Sequence, residues 1–106
     1  MNYIIADANF YVTNQQNTAN INPPNGGFLN NYRNILENTA FPNRCSRAYC
    51  RNRDFWLNGN LHGAHVINNN NNNYIVPLCV SHNNHTITEP FRLISGSVLV
   101  RAELFN

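Results

Sequence analysis

Tyr74-Ile75-Val76-Pro77-Leu78-Cys79-Val80-Ser81-His82 decides how this chain is read: an apolar run that reaches a cysteine, with a histidine three residues further on. A short apolar run bounded by turn-forming residues reads as a buried strand. Upstream, His62-Gly63-Ala64-His65-Val66-Ile67 follows Leu61 as a second such run, and the six asparagines Asn68 to Asn73 separate the two. The pair predicts a hairpin with an extended tip, which suits asparagine because it tolerates left-handed backbone. For the run itself, a slippage insertion without function is the preferred explanation.

Cys79 and His82 form one close pair of metal-ligand types, and Cys45-x4-Cys50 forms another upstream of the hairpin. Zinc takes four soft or borderline ligands at tetrahedral corners, and chains supply them as two such pairs. Three cysteines cannot complete a disulfide framework within one chain, so a reducing compartment and thiolate ligands fit better. The alternative is a Cys45–Cys50 disulfide with Cys79 buried and His82 on the surface. Val80 to His85 is expected to form a short helix, stopped by Thr86-Ile87-Thr88-Glu89-Pro90. That would set the second pair at a helix N-terminus, where the dipole favours thiolate, and give the knuckle, hairpin and helix of a treble clef.

Outward from this centre, Phe28, Leu29, Tyr32, Ile35 and Leu36 make the stripe of an amphipathic helix from Phe28 to about Asn38, ending by Thr39 to Pro42. Residues 1–26 read as an arm, with β-prone Tyr3-Ile4-Ile5 and Phe10-Tyr11-Val12 followed by a polar stretch. The rest, 27–106, reads as the zinc domain. Its tail is strand-like at Phe91 to Ile94, Val98 to Val100 and Leu104-Phe105, with a turn at Ser95-Gly96-Ser97. The expected fold is therefore α+β: a small zinc-stabilised, treble-clef (ββα) domain with an N-terminal helix and short flanking strands. At 106 residues the core is modest, so a metal staple would matter.

Only 11% of residues are charged, against about 25% in ordinary soluble domains, and all seven basic residues are arginine. A net charge of +2 gives no strong whole-molecule field for nucleic acid. Locally, however, Arg44, Arg47, Arg51 and Arg53 surround the knuckle, with Tyr49, Phe55 and Trp56 interleaved. Guanidinium groups can hold successive phosphates while aromatic rings stack on bases. These arginines can equally answer Glu37, Glu89 and Glu103 or solubilise the knuckle. No stretch approaches the roughly 20 apolar residues of a membrane span, and no secretory signal is visible, so a cytoplasmic protein is expected, with extracellular or virion assembly left open.

Gly63-Ala64-His65-Val66, then Tyr74 to Cys79 with His82-Asn83, preceded by Cys45-x4-Cys50, resembles small microbial proteins of the HNH endonuclease-like, treble-clef type. The resemblance runs from about Asn25 to Val100. It implies a ββα-metal site in which a histidine activates water and neighbouring side chains hold a divalent ion at the scissile phosphate. His65 matches the general-base position and Asn83 the last position of the motif. The residue before the base, usually an Asp or His ligand in that family, is Ala64, and the central Asn would fall near Asn72 or Asn73. A second divalent metal could instead draw on His62, His65 and His85 with Asn83, a set that suits zinc, copper or nickel better than magnesium.

The resulting expectation is a Zn2+-binding HNH-like module, associated with DNA or RNA and lacking robust nuclease activity because of Ala64. One alternative is a structural subunit that assembles with copies of itself by exchanging terminal strands. A further alternative is an active metal-dependent nuclease.

Overall fold

The computed structural model describes residues 2–15, 27–36, 44–50, 61–84 and 86–105. Among them six strands, β1 (Tyr3–Ile5), β2 (Tyr11–Asn14), β3 (Leu61–Asn68), β4 (Asn73–Cys79), β5 (Phe91–Arg92) and β6 (Val98–Arg101), form one sheet in the order β1-β6-β4-β3-β2-β5. Every pairing is antiparallel. One helix, α1 (Gly27–Ile35), and a 3₁₀ turn, Ala102–Phe105, complete an α+β fold.

The expected hairpin is the middle of the sheet, paired without interruption from Leu61↔Cys79 to Ile67↔Asn73. Its asparagine tip is closed by Asn68, whose Oδ1 accepts from the backbone N–H of Asn70 at 3.0 Å and of Asn72 at 2.9 Å. Asn71 there takes φ 63°, the left-handed geometry asparagine accepts most readily among side-chain-bearing residues. β4 is apolar at nearly every position because both its faces are covered. Tyr74, Val76 and Leu78 pack with Val12, Ala64, Val66 and Leu99 on one side, while Ile75 packs with Val100, Tyr32 and Leu36 on the other.

Pro77 sits inside this central strand without costing a rung toward β3. Its carbonyl accepts from Ser46 N–H at 2.9 Å, and a strand residue's nitrogen and oxygen point to the same side. The missing donor therefore faces the knuckle segment rather than the hairpin partner.

The sheet curls because its two ends are stitched together. Leu93 N–H donates to Phe10 at 3.0 Å, Gly96 N–H to Ala6 at 2.8 Å, and Ala6 N–H to Ser97 at 2.8 Å. The tail strands thus do not pair with each other. β5 pairs with β2, and β6 lies between β1 and β4, separated from β5 by a turn in which Gly96 takes φ 91°. The arm's two strands are members of the same sheet, and the terminal strands pair within the chain, Tyr3 opposite Val100. Leu104 and Phe105, expected as strand, lie in the 3₁₀ turn, and Phe105 is buried against the helix-side core.

α1 covers that core with the predicted stripe. Tyr32 is fully buried and its hydroxyl donates to the Val98 carbonyl at 2.7 Å, which satisfies the polar end of the ring. The expected helix end at Thr39 to Pro42 lies outside the described residues. α1 crosses β3 at Gly63, where a Cβ would stand 2.7 Å from both Phe28 Cβ and Leu29 N. No helix among the described residues is long and apolar enough to cross a membrane.

The helix expected from Val80 to His85 does not form among the described residues. The chain makes a single turn, with the N–H groups of His82 and Asn83 both donating to Cys79 O at 3.0 and 2.9 Å. Asn84 then takes over: its Oδ1 accepts from the backbone and hydroxyl of Thr86 at 3.0 and 2.9 Å. This side-chain capture competes with helical pairing. The described elements are a curled sheet and one helix, without the helix of a ββα unit.

Candidate metal centre

Cys45, Cys50, Cys79 and His82 converge so that their ligand atoms all lie within 4.8 Å of one another. Cys79 closes β4. His82 is swung back beside it by the turn described above, with Nδ1 3.3 Å from Cys79 Sγ and 3.5 Å from Cys45 Sγ. Cys50 Sγ is 3.9 Å from Cys79 Sγ. A tetrahedral ion with bonds of about 2.3 Å to sulfur and about 2.05 Å to nitrogen requires sulfur–sulfur edges of about 3.8 Å and sulfur–nitrogen edges of about 3.5 Å. The three observed separations match those edges, so this Cys3His set fits a metal ion such as Zn2+.

The knuckle is placed by the sheet's curl. Ser46 bridges two segments, donating to Pro77 and accepting from Ile94 N–H at 2.8 Å, while Ala48 N–H donates to Arg92 O at 2.8 Å. A turn from Arg47 to Cys50 follows, closed by Cys50 N–H to Arg47 O at 3.3 Å. Its third residue, Tyr49, adopts φ 63°, where a side chain other than glycine or asparagine costs about 1–2 kcal/mol.

The electrostatics suit an occupied site. Burial pushes the Cys45 thiol up to about 12; the amides of Cys79 and Arg47 lower it in part, and the neighbouring Cys79 and Cys50 thiols add the smallest contributions to the rise. Without a cation, then, this thiol stays protonated, and metal binding must expel its proton. His82 is held below its ordinary value by burial and secondarily by the Arg47 charge, which keeps the imidazole neutral and able to ligate.

Sequence reasoning missed Asn14, at the end of β2. Its side-chain amide donates to His82 O at 2.9 Å and to Asn84 O at 3.3 Å, and the residue is almost completely buried. It fixes the loop that carries the fourth ligand. As one of 24 asparagines, it had no distinguishing signal.

The residues proposed for catalysis are not brought together. His62 and His65 are three apart on an unbroken strand, so they point to opposite faces of the sheet. Asn83 goes with His62, their side-chain nitrogens 3.1 Å apart at the surface. His65 instead meets Phe28 edge to face, centroids 4.5 Å apart, beside a cleft of about 380 Å³ walled by Asn71, Asn72, Asn73, Arg101 and Glu103. Burial lowers its pKa, and its Nε2 makes no hydrogen bond among the described residues. Ala64, at the position of the missing ligand, is 1% exposed in the apolar interior opposite Val76. His85 lies outside the described residues, and the other two histidines of the expected second metal set, His62 and His65, diverge on β3.

The arginines divide. Arg51 and Arg53 lie outside the described residues. Arg44 is exposed, whereas Arg47 is half-buried with its guanidinium 4.9 Å from the Phe91 ring centroid, a packing contact within the fold. Arg92, from β5, joins the knuckle surface by lying over Tyr49. Set against family profiles, curated proteins and solved structures, the chain matches none of them.

Proposed function

We propose that this chain is a small Zn2+-stapled module of HNH-like ancestry that associates with nucleic acid and does not cleave it. The observation that supports the zinc half is the convergence of Cys45, Cys50, Cys79 and His82 within 4.8 Å of one another, with the Cys45–His82, Cys79–His82 and Cys50–Cys79 separations near tetrahedral edges. Four protein ligands close the coordination shell, which is the pattern of structural rather than catalytic zinc. Such an ion would join the knuckle, the end of β4 and the following turn, adding a link between their side chains to the backbone hydrogen bonds that already position them.

The argument against cleavage is the separation of His65 from His62 and Asn83 on opposite faces, together with the apolar surroundings of Ala64. A general base needs its metal-held phosphate on its own side. Arginine on the knuckle, with Arg44 exposed and Arg92 added from β5, supports the nucleic-acid half.

Two measurements test this reading. Metal analysis of purified protein should give one zinc per chain, and mutation of Cys50 to Ser should abolish stoichiometric retention. A nicking assay with magnesium, manganese, nickel and zinc should show no activity that His65→Ala removes; metal-dependent cleavage lost in that variant would refute the non-catalytic reading.

A further inference from the structure

We propose that Tyr49, backed by Arg92, is a stacking platform for an unpaired base, so that the nucleic acid this module takes is single-stranded. The inference rests on the nucleic-acid reading above and deepens it.

Tyr49 is the most exposed large apolar residue described, at 88%, on the turn that carries Cys50. Its φ of 63° is the conformation glycine or asparagine would take without strain. An aromatic residue at such a position, contributing nothing to the core, is the kind of backbone outlier that points to a use for the side chain. The ring is also supported. The Arg92 guanidinium lies 5.1 Å from its centroid, and that guanidinium is itself tethered, donating from Nη1 to Ala8 O at 3.2 Å. The β5 backbone beneath is pinned to the knuckle by Ala48 N–H to Arg92 O.

The result is an exposed aromatic ring on the knuckle turn with a planar cation beside it. A nucleobase can stack on the solvent side of the ring, and the guanidinium donors not used by Ala8 are available to a flanking phosphate. Duplex DNA or RNA hides its base faces by stacking, so it could meet only the charge and not the ring. The complete absence of lysine fits the same chemistry, because every basic side chain here is one that can stack.

The test is fluorescence anisotropy of zinc-loaded protein with labelled oligo(dT) and oligo(rU) of about 12 nucleotides, a length within the span of small single-strand-binding modules, and with a mixed-sequence duplex of the same length. Single strands should bind more tightly than the duplex. Tyr49→Gly should keep its zinc and its fold, since glycine suits the turn, yet weaken single-strand binding roughly tenfold, in line with the loss of one stacked base. Tyr49→Phe should bind like the parent, and Arg92→Gln should weaken binding while retaining zinc. If the parent binds single strands and Tyr49→Gly binds them equally well, the platform is wrong although nucleic-acid binding stands. Equal affinity for the duplex overturns the single-strand assignment. If the parent binds none of these probes, the underlying nucleic-acid reading fails, and the platform with it.

Discussion

Asn14 and His82 are 68 residues apart in sequence and joined at 2.9 Å, the side-chain amide of the first holding the backbone carbonyl of the second. The bond ties the end of β2 to the loop bearing the one nitrogen ligand, so the imidazole is aimed before any metal arrives. Supporting partners of this kind change metal affinity by about 10–100-fold when removed. Because Asn14 grips the backbone and not the ring, the lower end is expected: Asn14→Ala should weaken zinc binding about tenfold in competition with a chromophoric chelator. Unchanged affinity would mean the loop finds its geometry without β2.

How much of this centre was legible beforehand follows from the range of each signal. Cys45, Cys50, Cys79 and His82 announce themselves through two local spacings, and the hairpin through two apolar runs flanking a polar stretch; each needs only neighbouring residues. Asn14 depends on β2 lying beside β3, a pairing across more than fifty residues that no local pattern encodes. The same limit explains the tail. Phe91 to Val100 looks like a hairpin locally, yet its strands find better partners in β2 and β1. The helix expected after Cys79 gives way to competing side-chain bonds, Asn84 accepting from Thr86 locally and Asn14 of β2 holding the His82 and Asn84 carbonyls from afar.

Gly63 is where the helix touches the sheet. A methyl group there would press on Leu29 backbone nitrogen and Phe28 Cβ at 2.7 Å, and backbone cannot yield as a side-chain tip can. Gly63→Ala should therefore push α1 off β3 and cost about 1–3 kcal/mol, read as a lowered denaturant midpoint. Gly96→Ala is the useful comparison, because its Cβ would meet nothing within 4 Å and only its φ of 91° is unfavourable. That variant should cost about 1–2 kcal/mol without disturbing the helix. A shift in helical circular dichroism confined to Gly63→Ala would separate the two causes.

Removing the metal should expose a difference among its ligands. Cys79 is fully buried among core side chains, whereas Cys50 is half-buried on the knuckle. In the zinc-bound protein both serine variants should lose stoichiometric metal. After chelation the parent and Cys50→Ser should have nearly the same stability, while Cys79→Ser should remain weaker by about 1–3 kcal/mol because it buries a hydroxyl in the core. Equal stability of all three metal-free proteins would show that the end of β4 comes apart when the ion leaves.

His65 supplies the pH prediction, since it is half-buried against Phe28 and is not one of the four ligands. Burial lowers its folded-state pKa below the ordinary value of about 6.5, so between the two the unfolded chain binds more protons than the folded one. Its contribution is therefore fully present above about pH 6.5 and is lost as pH falls through the lowered folded value. His82 is shifted in the same direction, so the parent curve alone would not isolate His65. The difference between parent and His65→Gln does, because glutamine keeps a polar side chain without a proton to gain. Denaturant midpoints measured between about pH 7.5 and pH 5 should decline more steeply for the parent than for the variant. Parallel curves would mean that His65 can take up its proton without leaving the contact with Phe28.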